Sequence, residues 1–177
     1  MRKIPFALIL ACGLASGSAF AATQGTVTIM GEVVDQTCTI VVGDVDKTVT
    51  LATVSTTAFT AANQTVAKQS FTIGLENCEA GANVYAAFSA PVADIDVGTH
   101  TLINKAAAGA SNVNIILLEQ NEGQILLGDP SYPPSTQPVA TADGAVTLEY
   151  SAAYYSTAAA VTAGTVTATA NYVIAYQ

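Results

Sequence analysis

The sequence predicts an all-β fold, a sandwich or barrel, and three observations point to it. Strand-favouring Val, Thr and Tyr are abundant, while few segments carry a helical period. Short runs alternate apolar and polar residues, the period of a half-buried strand. Turn-forming residues separate those runs at short intervals, as in folds built from many short strands.

The elements follow in chain order. Thr26-Val27-Thr28-Ile29 alternates, and so does Gln69-Ser70-Phe71-Thr72-Ile73-Gly74-Leu75. Between them, residues 52–67 are rich in Ala and Thr and are expected to hold a short helix or a loose crossover. Residues 79–83 form a turn signal, followed by strand candidates at 112–118 and 145–150. Asn121-Glu122-Gly123 and Asp143-Gly144 are further turn signals. Residues 128–140 carry four of the six prolines and are expected to form a surface loop, because Pro cannot donate to a ladder.

The last fourteen residues, 164–177, form the most regular pattern. Val166, Ala168, Ala170, Tyr172, Ile174 and Tyr176 share one parity, and the other parity is mostly polar as far as Asn171. This predicts a strand with one buried face that continues to the chain end. Termini fray unless something pairs with them, so this strand needs a neighbour on each side. Near the other end, Gly25, Val27, Ile29 and Gly31 share one face of a second alternating arm.

Residues 1–21 read as an address. Arg2 and Lys3 precede an apolar run, and Ala19-Phe20-Ala21 is a cleavage signal, so cleavage is expected after Ala21. A lipoprotein signal ending at Cys12 is the weaker alternative, because Leu10-Ala11-Cys12 fits a lipobox poorly. Export leaves Cys38 and Cys78, which read as one disulfide, against the alternative of two buried free thiols. Asn63-Gln64-Thr65 matches a glycosylation acceptor, a pattern short enough to arise by chance.

Composition excludes several functions. After loss of the first segment only Lys47, Lys68 and Lys105 face thirteen acidic residues, which builds no basic patch for nucleic acid. His100 is the one histidine, and no G-x-S-x-G nucleophile motif accompanies it, so no catalytic residue is assigned and an enzyme is not expected. The pairs Asp44/Asp46 and Asp94/Asp96 are followed by no complete Ca²⁺ loop, so no metal or cofactor is expected.

The residues resemble a family: the structural subunits of chaperone–usher, type 1-like fimbriae. Gly25-x-Val27-x-Ile29-x-Gly31 resembles the family's donor strand, and Val33-Val34-Asp35 and Cys38 follow at its spacing. Phe71-x-Ile73-x-Leu75-x-x-Cys78 resembles the strand that carries the second cysteine. Asn112-Val113 with Ile115 and Leu117 resembles a central strand, and Tyr154 with Thr157 resembles the stretch before the last strand. Gly164, fourteenth from the end, and the penultimate Tyr176 are the most specific matches. Ile29, where an aromatic residue is common, and the proline loop are departures.

The resemblance implies an immunoglobulin-like β-sandwich that lacks its last strand and is completed by a donor strand from another subunit. It implies a signal peptide at 1–21, a donor arm at 22–34 and a pilin domain at 35–177. Gly164, Val166, Ala168, Ala170, Tyr172, Ile174 and Tyr176 would line the acceptor groove, with the carboxylate of Gln177 held by a chaperone. Gly25 would meet a shallow part of that groove. The implied partners are neighbouring subunits in a homopolymer, a periplasmic chaperone and an outer-membrane usher, with passage through the periplasm to a surface fimbria that supports adhesion. A tip adhesin would need a further domain, and a terminator would lack the arm. A minor adaptor, or a monomeric secreted binding module, is the remaining alternative.

Overall fold

Among the described residues, eight strands form the sandwich. The computed structural model describes residues 27–31, 38–132, 134, 141–142 and 144–176. Chain contacts divide it into two units, 1–34 and 35–177.

In the second unit the strands are β1 (Thr39–Ile40), β2 (Thr65–Glu76), β3 (Val84–Ser89), β4 (Ile95–Asp96), β5 (Thr101–Leu102), β6 (Val113–Glu119), β7 (Val146–Ser156) and β8 (Asn171–Tyr176). No α-helix occurs among the described residues; single 3₁₀ turns lie at Val42–Asp44, Thr56–Ala58 and Val92–Asp94. The turn at Thr56–Ala58 fills the stretch where a short helix or crossover was expected.

Six strands form one antiparallel sheet in the order β1-β2-β7-β6-β5-β4, and β3 and β8 form a second. The long pair β2/β7 runs from Thr65 opposite Tyr155 to Leu75 opposite Val146. Period-two alternation sets what it buries: Ile73 and Leu75 on β2, and Val146, Leu148, Tyr150 and Ala152 on β7, all face the second sheet. Val84 and Ala86 of β3 meet them from the other side. Each buried Val, Ile or Leu in this layer contributes roughly 1.5–3 kcal/mol by leaving water, so the sandwich rests on it.

β3 escapes the alternation test because Val-Tyr-Ala-Ala-Phe-Ser has no polar residue between its apolar ones until Ser89. β4 and β5 have two residues each, too short for any period to show. The expected terminal strand is shorter as a ladder than as a pattern. β8 begins at Asn171, and residues 165–167 are held instead by bonds to a loop: Lys105 N–H to Thr167 C=O at 2.8 Å, and Ala110 N–H to Thr165 C=O at 3.0 Å. Asn104 completes this junction, donating to Thr165 C=O and accepting from Thr167 N–H.

The proline-rich stretch forms no strand among its described residues. Its Tyr132 hydroxyl donates to the buried Glu119 carboxylate. Burial and that carboxylate push the Tyr132 phenol well above its ordinary range.

Candidate functional site: an open strand position beside β8

The first segment of the sandwich leaves the large sheet early. β1 pairs with β2 only at Thr39/Glu76 and Ile40/Leu75, and Val41 N–H then reaches Gly74 C=O at 2.9 Å. The 3₁₀ turn at Val42–Asp44 carries the chain away from β2. The Asp44 carboxylate fastens this departure, accepting the Gly74 N–H at 2.7 Å and the Lys47 ammonium at 2.5 Å. The Lys47 contact, followed by the Gly74 N–H, holds the Asp44 carboxyl below its ordinary value. Beyond it, residues 47–54 join no strand, yet Val49 and Leu51 pack half-buried against the core.

β8 faces a similar vacancy. It pairs with β3 along its whole length, Val84 opposite Tyr176 to Ser89 opposite Asn171, and with no other described strand. The Ala86 N–H donates to the Tyr150 hydroxyl at 2.9 Å, away from β8. In an antiparallel ladder bonded and non-bonded pairs alternate, so Ala86/Ile174 is a non-bonded pair. The backbone groups of Tyr172, Ile174 and Tyr176 therefore point to the open side of β8.

Burial along the terminal segment alternates as the sequence predicts. Val166, Ala168, Ala170, Tyr172, Ile174 and Tyr176 are half-buried, whereas Thr167, Thr169, Asn171 and Val173 are exposed. None of the inward residues reaches full burial, in contrast to Ile73 and Leu148 at 1% and 0% exposure. An apolar face half in water beside an unpaired edge is a groove that lacks a strand.

Its floor is aromatic. Phe88 lies edge-on to Tyr150 at 4.9 Å, and to its sides are Phe71 at 6.4 Å and Tyr172 at 5.9 Å between ring centroids.

Two hydroxyls cross the gap. Cys38 N–H donates to Tyr176 Oη at 3.1 Å, and Tyr172 Oη donates to Asp44 C=O at 2.6 Å. Burial, with the nearby Asp44 and Asp46 carboxylates, raises the Tyr172 phenol and keeps it protonated. A tyrosine hydroxyl reaches roughly 6–7 Å from its own Cα, and the bond adds about 3 Å. The Cα atoms of Tyr172 and Tyr176 thus lie within about two strand spacings, each near 4.8 Å, of the atoms they reach on the first segment.

Other described edges are short, interrupted or partly capped. β2 is exposed along much of its length, but a bulge between Val66 and Gln69 interrupts it, with Ala67 at φ 55°. Lys68 in the bulge pairs with Glu122. β3 has its outward Ala86 N–H capped by Tyr150, and β4 is two residues long. An open depression of about 500 Å³ lies between residues 47–50 and 69–72, lined chiefly by Thr, Ser, Gln and Lys.

Each residue expected at the site can now be located. Cys38 and Cys78 are joined in a disulfide that ties the start of the first segment to the end of β2. Gly164 lies against the backbone of residues 108–110, where a Cβ would fall 2.4 Å from Ala110 N. Val27 and Ile29, in the first unit, are exposed at 85% and 90%, and residues 27–31 form no strand there. Gly31 has open space around its α-carbon. Gly25 and Gln177 lie outside the described residues, as does the expected cleavage site. Sequence reasoning missed the second rim: Val49 and Leu51 are separated by one residue, a run too short to register as a period. It also missed Asp44, read only as half of an acidic pair without a Ca²⁺ loop. Among the described residues, no three metal-ligating side chains gather.

Comparisons with known proteins agree with this architecture. A family model described as fimbrial protein matches residues 22–177. The F17 fimbrial protein of Escherichia coli is 44% identical over 183 residues, spanning all of both chains. The major fimbrial subunit SMF-1 of Stenotrophomonas maltophilia is 39% identical over 163 residues, 88% of this chain and 94% of that one. A solved chaperone–usher pilus shares the fold at 23% identity with a TM-score of 0.59, over 90% of this chain and 99% of its own.

Proposed function

Because the chain belongs to the fimbrial protein family, as a subunit of chaperone–usher pili at the cell surface, we propose that it polymerises by donor-strand exchange as a shaft subunit. The observation that carries this reading is the half-buried face from Val166 to Tyr176 beside an unpaired β8 edge. An incoming strand satisfies the edge hydrogen bonds and covers the apolar face in one step.

The arm at 22–34 suits that position. Val27 and Ile29 stand on one parity, exposed, and burying both would contribute roughly 1.5–3 kcal/mol each. Ladder hydrogen bonds add about 0.5–1.5 kcal/mol apiece. Arm and groove are different surfaces, so the contact is head-to-tail and generates an open filament.

Before assembly the groove needs a temporary strand, which assigns a periplasmic chaperone, with an outer-membrane usher as the site of exchange. The signal at 1–21 supports passage through the periplasm. The shaft role, rather than a minor adaptor, is supported by the similarity to the major fimbrial subunit of Stenotrophomonas and by the alternating pattern at 22–34.

The test removes the arm. Residues 35–177 are mixed with a synthetic peptide of residues 22–34 and thermal unfolding is followed. A ligand that binds only the folded state raises its melting temperature, so a large, slowly developing rise is expected. A peptide with Val27 and Ile29 changed to Asp should have no effect. A truncated domain that is already stable and ignores the peptide would indicate a complete sandwich and end the filament reading.

A further inference from the structure

Resting on the reading of the groove as a strand acceptor, we propose that the hydroxyls of Tyr172 and Tyr176 are positioning groups. They hold β8 at a fixed separation from the first segment, at Cys38 and Asp44, before any strand arrives.

Both rings lie on the inward face of β8 and pack half-buried on the core. Their hydroxyls go further than packing requires. Tyr176 accepts from Cys38 N–H, and Tyr172 donates to Asp44 C=O. One contact stands near each end of the departing segment, so together they fix the separation of the rims and their tilt. The far rim is anchored from behind at the same two places. Cys38 is bonded to Cys78, and the Asp44 carboxylate is held by Gly74 N–H. Each hydroxyl therefore ties β8 to a fixed point of the large sheet.

The bonds run on the core side of the gap, because the rings belong to the inward face. The edge groups of Tyr172, Ile174 and Tyr176 stay available to an incoming strand. Without the hydroxyls, two unpaired rims joined by no ladder are free to splay or to close. A β8 edge already held at a fixed separation has less ordering left to complete on capture, an effect that belongs to the association step. Once a strand is bound, its own ladder sets the spacing, and the hydroxyls matter little to release.

The test uses the chain from residue 22 to 177 and its Tyr172→Phe/Tyr176→Phe variant, which keeps both rings. A fluorescent synthetic peptide of residues 22–34, in excess, reports association and dissociation. The proposal expects association to slow at least fivefold, with dissociation within twofold of the parent. Spin labels at Val45→Cys, beside the Asp44 contact, and Val173→Cys on β8 should give a broader distance distribution in the variant, restored to the parent width by peptide. The single variants Y172F and Y176F, each keeping one bond, should fall between, and they carry the same test if the double variant folds poorly. Association within twofold of the parent overturns the proposal, as does an unchanged distribution. Dissociation accelerated by as much as association slows also overturns it, because the hydroxyls would then stabilise the complex and not the empty groove. A parent chain that never binds the peptide instead defeats the acceptor reading itself.

Discussion

Gly164 and Ala110 approach so closely that a Cβ on the glycine would lie 2.4 Å from the Ala110 nitrogen. The same added atom would stand 2.8 Å from Ala108 C=O. All the nearest atoms are backbone, so none can swing aside. The contact sits where the terminal segment docks on residues 104–110, just before its inward face begins. Gly164→Ala should cost about 1–3 kcal/mol, the range for forcing atoms into a packed site. Urea unfolding of the peptide-bound domain measures it, and an unchanged midpoint would mean that the two backbones separate freely.

The Asp44 latch should make the domain acid-sensitive. The folded carboxyl is depressed by Lys47 and Gly74 N–H, so its stabilisation is fully present above the unfolded value near 4 and fades as pH falls through the folded value. The stability difference between the parent and Asp44→Asn should therefore be constant from neutral pH to about 5 and shrink below about 4. Unfolding midpoints between pH 7 and 2 would reveal this, and a difference that widens on acidification would contradict the assignment.

The disulfide should matter more than its neighbouring strand. β1 offers two residues of pairing, whereas Cys38–Cys78 closes a loop with a sequence separation of 40. In the chain-entropy model a loop of that size is worth about 4 kcal/mol. Cys38→Ser/Cys78→Ser should lose stability of that order and, by loosening the Cys38 rim, bind the arm peptide weakly. Denaturant unfolding and peptide titration provide the two readouts.

The two faces of β8 should respond differently. Ile174 points to the groove and Val173, 64% exposed, points to solvent. Ile174→Ser should weaken peptide binding at least tenfold, equivalent to about 1.4 kcal/mol, while Val173→Ser leaves it within a factor of about two. Equal losses at both positions would show that the strand does not use its inward face for capture.

On the arm, Val27→Asp or Ile29→Asp should abolish filament formation, scored by electron microscopy, with the unfolding midpoint of the 35–177 domain unaffected. Filaments of normal length from either variant would assign assembly to another surface.

How much of this was legible in the sequence depended on period. β2, β7 and the terminal face could be read because each alternates over enough residues for a buried face to show, and β6 as a short apolar run between turn signals, buried on both faces. The turn at 121–123 could be read from its residue types, and Glu122 there adopts φ 69°. β3 could not, since its positions remain apolar on both parities until Ser89. β4, β5 and the second rim at Val49 and Leu51 are too short to carry a pattern. Asp44 looked like an exposed turn residue because its partner, Gly74, lies thirty positions away.

By itself the sequence determined the all-β class, the pairing of two cysteines and which parity of the last strand turns inward. Those properties follow from local chemistry: strand propensity, export, and the two-residue period of a pleated backbone. Whether that inward face is covered is a different matter, because alternation is the same in a complete sheet and in an open one. Only the tertiary structure bears on it, by turning the first segment away from β2 at Asp44 and leaving β8 with a single neighbour among the described strands. The two tyrosine hydroxyls across the gap belong to that level too, since each joins residues more than a hundred positions apart that nothing local brings together.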